Sequence, residues 1–570
     1  YEREPNYLFF KEGKFDPIYN LLGKHLNTNK KNKAAIIWRG TDYTERIFTF
    51  QSLHFEMLKF AYSLKKLGIK KGSRVLIVLP NVPEAIISML ACVRIGAIHG
   101  LYHYSYSSDS IAERIDNCKP DIIITADYSL TGIEINIKSK IDEALKKSIH
   151  QPKHVIVVER IPKKTHMKPI RDLWYHDLLS DTDFASAASL EKVIMDANDP
   201  IFFMITSTHF NEPKGLQYNV GGFLAWSHFT YKLIFDPDEN DTMWNTSDLA
   251  WMNGHSFGVY GPLMTGTTTV MFEDTLSFEN AKRFYGIVER YKINKLYTTP
   301  RILKTLMNAD LKKKAYTKID SLELLYIGGE RIEEEVIDWS FKKIGLKNIP
   351  ILNIYSITEV GGAVAADIPG YSVIKKDSVG KALPGVNFGV YDEITKTRID
   401  YSDLKGILVL EKPVLSMCKR LCNDEDIFFK TFWKKYDQGY VFRTGDSGYF
   451  DNDGNLYLAG RIDDVVHVAG KRVNLMEVEN AINKNKFVKE SAVIIVNDEK
   501  KGDSMVAFCV LHRKVDESLH KRIFHEIHET ILEELGEVVL PQEVRFVRIL
   551  PKGADGSVLK DLLKEIAMQM

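Results

Sequence analysis

Short, unbroken apolar runs alternate with stretches of helical spacing over the first two-thirds of the chain. In "SRVLIVLP" (residues 73–80) five consecutive apolar residues end at a proline, which reads as a strand buried on both faces. Pro83 then opens a helix predicted over residues 83–95, since proline suits a first helical turn. "PDIIITAD", "HVIVVER" and "IFFMIT" repeat the pattern, and it continues through "TTTVMF", "NKLYTTP", "LELLYIGG" and "IPILNIYS". Strands alternating with helices over this length imply a layered α/β fold with largely parallel sheets. After about residue 385 the pattern changes. "FGVYDE", "KGILVLEKP" and "GYVFRTGDSGYFDNDGNLYLAGR" are strand and turn material, with Asp-Gly punctuation suited to hairpins, and a small α+β segment closes the chain.

At 570 residues the chain can bury more than one core, and 45% hydrophobic with 27% charged residues is ordinary globular composition. Lys plus Arg equals Asp plus Glu, 76 each, so neither nucleic acid nor an anionic membrane is an expected partner. The most apolar stretch, residues 75–98, is broken by Asn81, Pro83, Glu84 and Arg94 and does not read as a membrane span. A cytoplasmic protein is expected, with a processed organellar form left open because the chain begins at Tyr1. Five cysteines make no disulfide framework. Cys418 and Cys422 are four apart, but no second Cys or His pair nearby completes a zinc set.

Taken together and in order, several segments resemble the acyl-CoA synthetase, adenylate-forming superfamily, and within it the acetyl-CoA synthetase branch. They include "AAIIWRG", "PNVPEAIISMLACVRIGAIH", "RDLWYHDLL" and "WNTSDLAWMNGHSFGVYGPLMTGTTTVMFE". Further on come "LLYIGGERIEEEVIDW", "YSITEVGG", "GYVFRTGDSGYFDNDG" and "LAGRIDDVVHVAGKRVNLMEVENAI". The resemblance implies a large N-terminal AMP-binding domain of layered α/β sheets, residues 1–462, and a small mobile α+β domain, residues 463–570. It also implies ATP, magnesium and CoA as cofactors, with a carboxylate first adenylated and then passed to the CoA thiol. The small domain would rotate between the two steps about a hinge that matches Asp463.

Residue by residue, the resemblance assigns Asp446 in "RTGD" to the ribose hydroxyls, where a carboxylate can accept two protons of a cis-diol. Arg461 matches a second ribose contact, and Gly329 and Glu330 in "GGER" line the adenine stretch. Thr358 and Glu359 in "SITE" match the pair that meets the α-phosphate and magnesium, with Glu359 the metal ligand, both being hard oxygen donors. Gly470 and Arg472 in "AGKR" match the CoA side. Met252, Asn253 and Ser356 fall in the acyl pocket, Ser356 standing where the branch carries a pocket-closing tryptophan.

Other positions depart from the family. Its phosphate loop reads T-S-G-S-T-G-x-P-K-G, whose glycines and hydroxyls surround the β- and γ-phosphates. The ungapped match here is Thr206-Ser207-Thr208-His209-Phe210-Asn211-Glu212-Pro213-Lys214-Gly215, which lacks both inner glycines and adds a carboxylate while keeping Lys214. Near the C-terminus the family has P-K-x-x-S-G-K, whose last lysine stabilises charge developing in adenylation. In this chain Ser557 stands there, with Lys552 and Lys560 on either side. The arginine-rich turn that grips CoA corresponds to residues 131–134, Thr-Gly-Ile-Glu. The expectation is a non-catalytic relative that binds a nucleotide or acyl-adenylate and serves a regulatory or scaffolding role, with a protein partner. The alternative is an active AMP-forming acyl-CoA synthetase with a non-acetate pocket.

Overall fold

Each apolar run quoted from the first part of the chain forms a strand, as do "FGVYDE" and "KGILVLEKP". The computed structural model describes residues 7–569 except 131–133, 163–164, 207–213, 275–280, 312–318, 330–331, 333, 346–347, 423–424, 437–438, 463–464, 469–470, 499–501, 514–515, 536–539 and 553–557. By contact the chain divides into two units. The first is Tyr1–Gly389 with Val409–Thr444 and Phe450–Tyr457, and the second is Val390–Leu408 with Gly445–Tyr449 and Leu458–Met570.

The first unit contains two large sheets. In one, Asp172–Trp174, His154–Val158, Ile122–Ala126, Arg74–Val78, Ile98–Leu101 and Pro200–Thr206 run parallel in that order. Lys214–Asn219 and Arg420–Leu421 then add antiparallel. In the other, six parallel strands follow the order Ala34–Arg39, Thr268–Phe272, Thr242–Asn245, Lys295–Thr298, Leu324–Gly328 and Ile351–Ile357. Gly362–Ala366 and Ser378–Ala382 continue it antiparallel. The predicted helix is Pro83–Ile95, ended by Gly96 at φ 70°. All of its side chains are buried, Glu84 and Arg94 included, which is why its pattern is largely apolar instead of striped.

The second unit shows period-two patterning at work. Its three-stranded sheet is Val488–Asp498, Gly502–Leu511 and Glu543–Val547. Met505, Ala507 and Cys509 pack on one face with helices Leu475–Asn483 and Glu517–Leu535. Val506, Phe508 and Val510 pack on the other with Leu563 and Ala567 of helix Lys560–Gln569. Alternate residues of one strand thus supply two separate cores.

Candidate functional site

In open parallel sheets, ligands bind outside the carboxyl ends of the strands. In the first unit the sequence candidates sit there. Met252 and Asn253 follow Thr242–Asn245, Gly329 follows Leu324–Gly328, and Thr358 and Glu359 follow Ile351–Ile357. Residues 207–213 follow Pro200–Thr206 and lie outside the described residues, Glu212 among them. Lys214 opens the returning strand, paired with Thr206.

Thr358 and Glu359 begin the turn of residues 358–361 that joins Ile351–Ile357 to Gly362–Ala366. The Gly361 N–H donates to the carbonyls of Ile357 at 3.1 Å and Thr358 at 2.9 Å. Gly361 takes φ 83°, and a Cβ there would lie 2.5 Å from the Ser416 carbonyl oxygen, so glycine is required twice over. Three outside groups brace the turn. The Tyr218 hydroxyl donates to the Thr358 carbonyl at 2.5 Å, the Cys418 N–H to that of Glu359 at 2.9 Å, and the Ser416 Oγ to that of Val360 at 2.6 Å. Burial, then the nearby Cys418 and Glu359, push the Tyr218 hydroxyl well above its ordinary pKa and keep it a donor. The Glu359 residue is 7% exposed. A hydroxyl and a carboxylate suit magnesium, which takes one or two carboxylates and completes its shell with phosphates and waters. Among the described residues no cluster of three or more His, Cys, Asp or Glu could hold a metal alone. The donor chemistry of the pair fits such an ion.

One of the acyl-pocket candidates, Asn253, contacts Tyr297. The Asn253 Nδ2 donates to the Tyr297 hydroxyl at 2.7 Å, while the Asn245 Nδ2 donates to the Asn253 carbonyl at 2.6 Å. That hydroxyl lies 2.8 Å from where a Cβ on Gly328 would be. The Tyr297 hydroxyl thus sits between Gly328 and Asn253, and Met252 is buried. The Oγ of Ser356 and the Oδ1 of Asn253 are buried without a hydrogen-bond partner among the described residues. Polar atoms left so are candidates for a ligand's polar groups.

Asp446 belongs to the second unit and is half-buried on the strand Gly439–Phe450, after Gly445 at φ 83°. The Gly-Asp step is therefore a kink within a strand and not a surface turn. Arg461 ends Asn455–Arg461, and Arg472 pairs with His467 in a two-stranded hairpin. The side chains of both arginines lie outside the described part of the structure. Glu330, Asp463, Gly470 and Ser557 lie outside the described residues, as does most of the segment corresponding to the CoA turn. Both lysines flanking the Ser557 position are ion-paired, Lys552 with Glu490 and Lys560 with Glu479 at 2.9 Å. Tyr218, Ser416 and Tyr297 were not legible as site residues. The Tyr218–Thr358 bond joins positions 140 residues apart, and nothing in one sequence pairs them.

Parallel sheets with helices between their strands place this chain in the layered α/β class. Within it, this chain belongs to the AMP-binding enzyme family. The family model for the AMP-binding enzyme matches residues 24–418, and that for the AMP-binding enzyme C-terminal domain matches residues 477–556. The acetyl-coenzyme A synthetase of Leptospira biflexa is 34% identical over 563 residues, covering 98% of this chain and 85% of that protein. The acetyl-coenzyme A synthetase of Methylobacillus flagellatus is 35% identical over 568 residues, covering 99% and 85%. The crystal structure of a Brucella canis acyl-CoA synthetase superposes with a TM-score of 0.69 at 23% identity, over 98% of this chain and 96% of that one. That likeness speaks for the fold. Among the described residues, no helix is long and apolar enough to cross a membrane.

Proposed function

We propose that this member of the family has lost the adenylation step and binds AMP or an acyl-adenylate as a regulatory or scaffolding subunit. One observation carries the reading. Ser557 replaces the adenylation lysine, and the two lysines beside it, Lys552 and Lys560, are engaged by Glu490 and Glu479. A preorganised charge that stabilises a transition state is worth roughly 10²- to 10³-fold. The phosphate segment, with no inner glycine and with Glu212 added, is a second and separate loss. If independent, the two multiply to about 10⁴-fold or more. What remains suits the product end of the nucleotide. Asp446 would hold the ribose hydroxyls, Arg461 would add a cationic contact, and Thr358 and Glu359 would face the α-phosphate and any magnesium it carries. Gly470 and Arg472 would remain on the CoA side, where the arginine-rich turn is missing.

The test is carboxylate-dependent ATP–pyrophosphate exchange over acids from acetate to octanoate, with an active acetyl-CoA synthetase alongside, followed by calorimetry with AMP. Silence in exchange together with AMP binding that Asp446→Ala weakens at least tenfold is expected. The opposing reading is an active AMP-forming acyl-CoA synthetase with a pocket reshaped by Met252, Asn253 and Ser356. It is favoured by the braced Thr358–Glu359 turn, and exchange above background would select it.

A further inference from the structure

The structure brings together two cysteines that sequence spacing did not pair. Gly215 follows Lys214 at the end of the phosphate segment. A Cβ built on Gly215 would lie 2.5 Å from the Cys422 Sγ and 3.1 Å from the Cys118 Sγ, so both sulfurs crowd one point that only glycine leaves free. Cys118 is the last residue of helix Ser108–Cys118, and Cys422 follows the edge strand Arg420–Leu421. The Arg74 guanidinium spans the two backbones, donating to the Cys118 carbonyl at 2.9 Å and the Cys422 carbonyl at 2.5 Å. The Cys422 N–H donates to the Gly215 carbonyl at 2.8 Å.

The two thiols are not equivalent. The nearby Cys118 thiol, with Arg74, Gln217 and Arg420, holds the Cys422 thiol below its ordinary pKa against the effect of burial. The neighbouring Cys422 and burial in turn push Cys118 well above its ordinary value. Cys422 is also the more exposed, at 9% against 0%. An acidified thiol beside a resolving partner is the arrangement of an oxidisable pair.

We propose that Cys118 and Cys422 form a reversible disulfide under oxidation by a hydroperoxide, and that its closure repositions the strand carrying Lys214. The Cys422 thiolate attacks one peroxide oxygen, breaking the O–O bond and giving a sulfenic acid and, after protonation of the leaving oxygen, water. The Cys118 sulfur then displaces hydroxide from that sulfenic sulfur, the S–S bond forms, and a second water leaves with the Cys118 proton. Two thiols and one hydrogen peroxide thus become one disulfide and two waters. Closure brings the sulfurs to about 2 Å. The movement passes directly into the neighbouring strands. Leu421 and Arg420 pair with Leu216 and Gln217 of the Lys214 strand. On the same segment the Cys418 N–H holds the Glu359 carbonyl, and the Tyr218 hydroxyl holds that of Thr358. Any effect on nucleotide binding rests on the function proposed above, whereas the disulfide and its mechanical effect do not.

The experiment treats the folded full-length chain with hydrogen peroxide, blocks remaining thiols with N-ethylmaleimide, and maps peptides by mass spectrometry. A linked pair of peptides containing Cys118 and Cys422, released by dithiothreitol and absent from Cys118→Ser and Cys422→Ser, is expected. Hydrogen exchange of peptides covering residues 214–219 and 356–361 should change at least tenfold on oxidation and return on reduction. If the serine variants do not fold, the wild-type peptide map still decides. No linkage in the folded protein, or linkage only after unfolding in urea, overturns the dithiol. Linkage with unchanged exchange at both segments overturns its mechanical effect. Failure of the reduced protein to bind AMP would count against the functional reading and leave the peptide map as it stands.

Discussion

Asp367 follows the strand Gly362–Ala366 and is 1% exposed. Its Oδ2 accepts the Asn353 N–H at 3.0 Å, while its own backbone N–H donates to the Asn353 carbonyl at 3.0 Å and its carbonyl accepts the Tyr326 hydroxyl at 2.6 Å. Burial outweighs the single N–H donor and raises the carboxyl from 3.8 to about 6. The folded state then binds the proton more tightly than the unfolded chain, so stability falls as pH rises from about 4 through 6. The full gap corresponds to roughly 3 kcal/mol, about 2 kcal/mol of it between pH 4.5 and pH 8. Asp367→Asn keeps the size and an acceptor for the Asn353 N–H but cannot ionise. Relative to wild type, the variant should therefore gain about 2 kcal/mol on going from pH 4.5 to pH 8, whatever offset its buried amide introduces. Urea unfolding of both proteins, followed by tryptophan fluorescence at the two pH values, reads the difference. A stability difference that stays constant across that range would refute the burial argument, as would one that moves the other way.

Tyr218→Phe removes one of two donors to the Thr358 carbonyl while Gly361 keeps the other, so a loss of about 1–2 kcal/mol in urea stability is expected, with no change of fold by circular dichroism. Gly361→Ala combines positive φ with a Cβ placed 2.5 Å from the Ser416 carbonyl oxygen. It should cost more, about 2–4 kcal/mol, and a neutral result in the same unfolding assay would contradict the close approach. Ser557→Lys alone should leave ATP–pyrophosphate exchange at background, because the phosphate segment still lacks its glycines. Robust exchange from that single change would sink the argument for two separate lesions.

The buried strands were legible because parallel strands covered on both faces read as continuous apolar runs, and Pro83 and Gly96 mark the ends of the helix between two of them. The candidate residues of the first unit were legible as local motifs at strand ends. Their supports were not. Ser416 and Cys418 act on the Thr358–Gly361 turn from another part of the sequence, one through its side chain and the other through its backbone, and backbone donors carry no residue signature. The cysteines show the same limit. Cys418 and Cys422 invite pairing at a spacing of four, but Arg420–Leu421 between them is a strand. Four extended residues span roughly 13 Å, which leaves the sulfur partner to come from elsewhere, here from the end of helix Ser108–Cys118.

The turn also bears on what the Glu359 carboxylate does. The bonds that hold residues 358–361 are made by backbone carbonyls, with a glycine required at Gly361. At position 359 the Cys418 contact is made by the backbone. The Glu359 residue is 7% exposed, and desolvating a charge is unfavourable unless a partner repays it. On the function proposed above, Glu359 would meet the α-phosphate of AMP or an adenylate and any magnesium it carries. Glu359→Gln then separates the two accounts. Weakened AMP binding in magnesium, with unchanged urea stability, fits a ligand role, whereas lost stability with unchanged binding assigns the carboxylate to the fold.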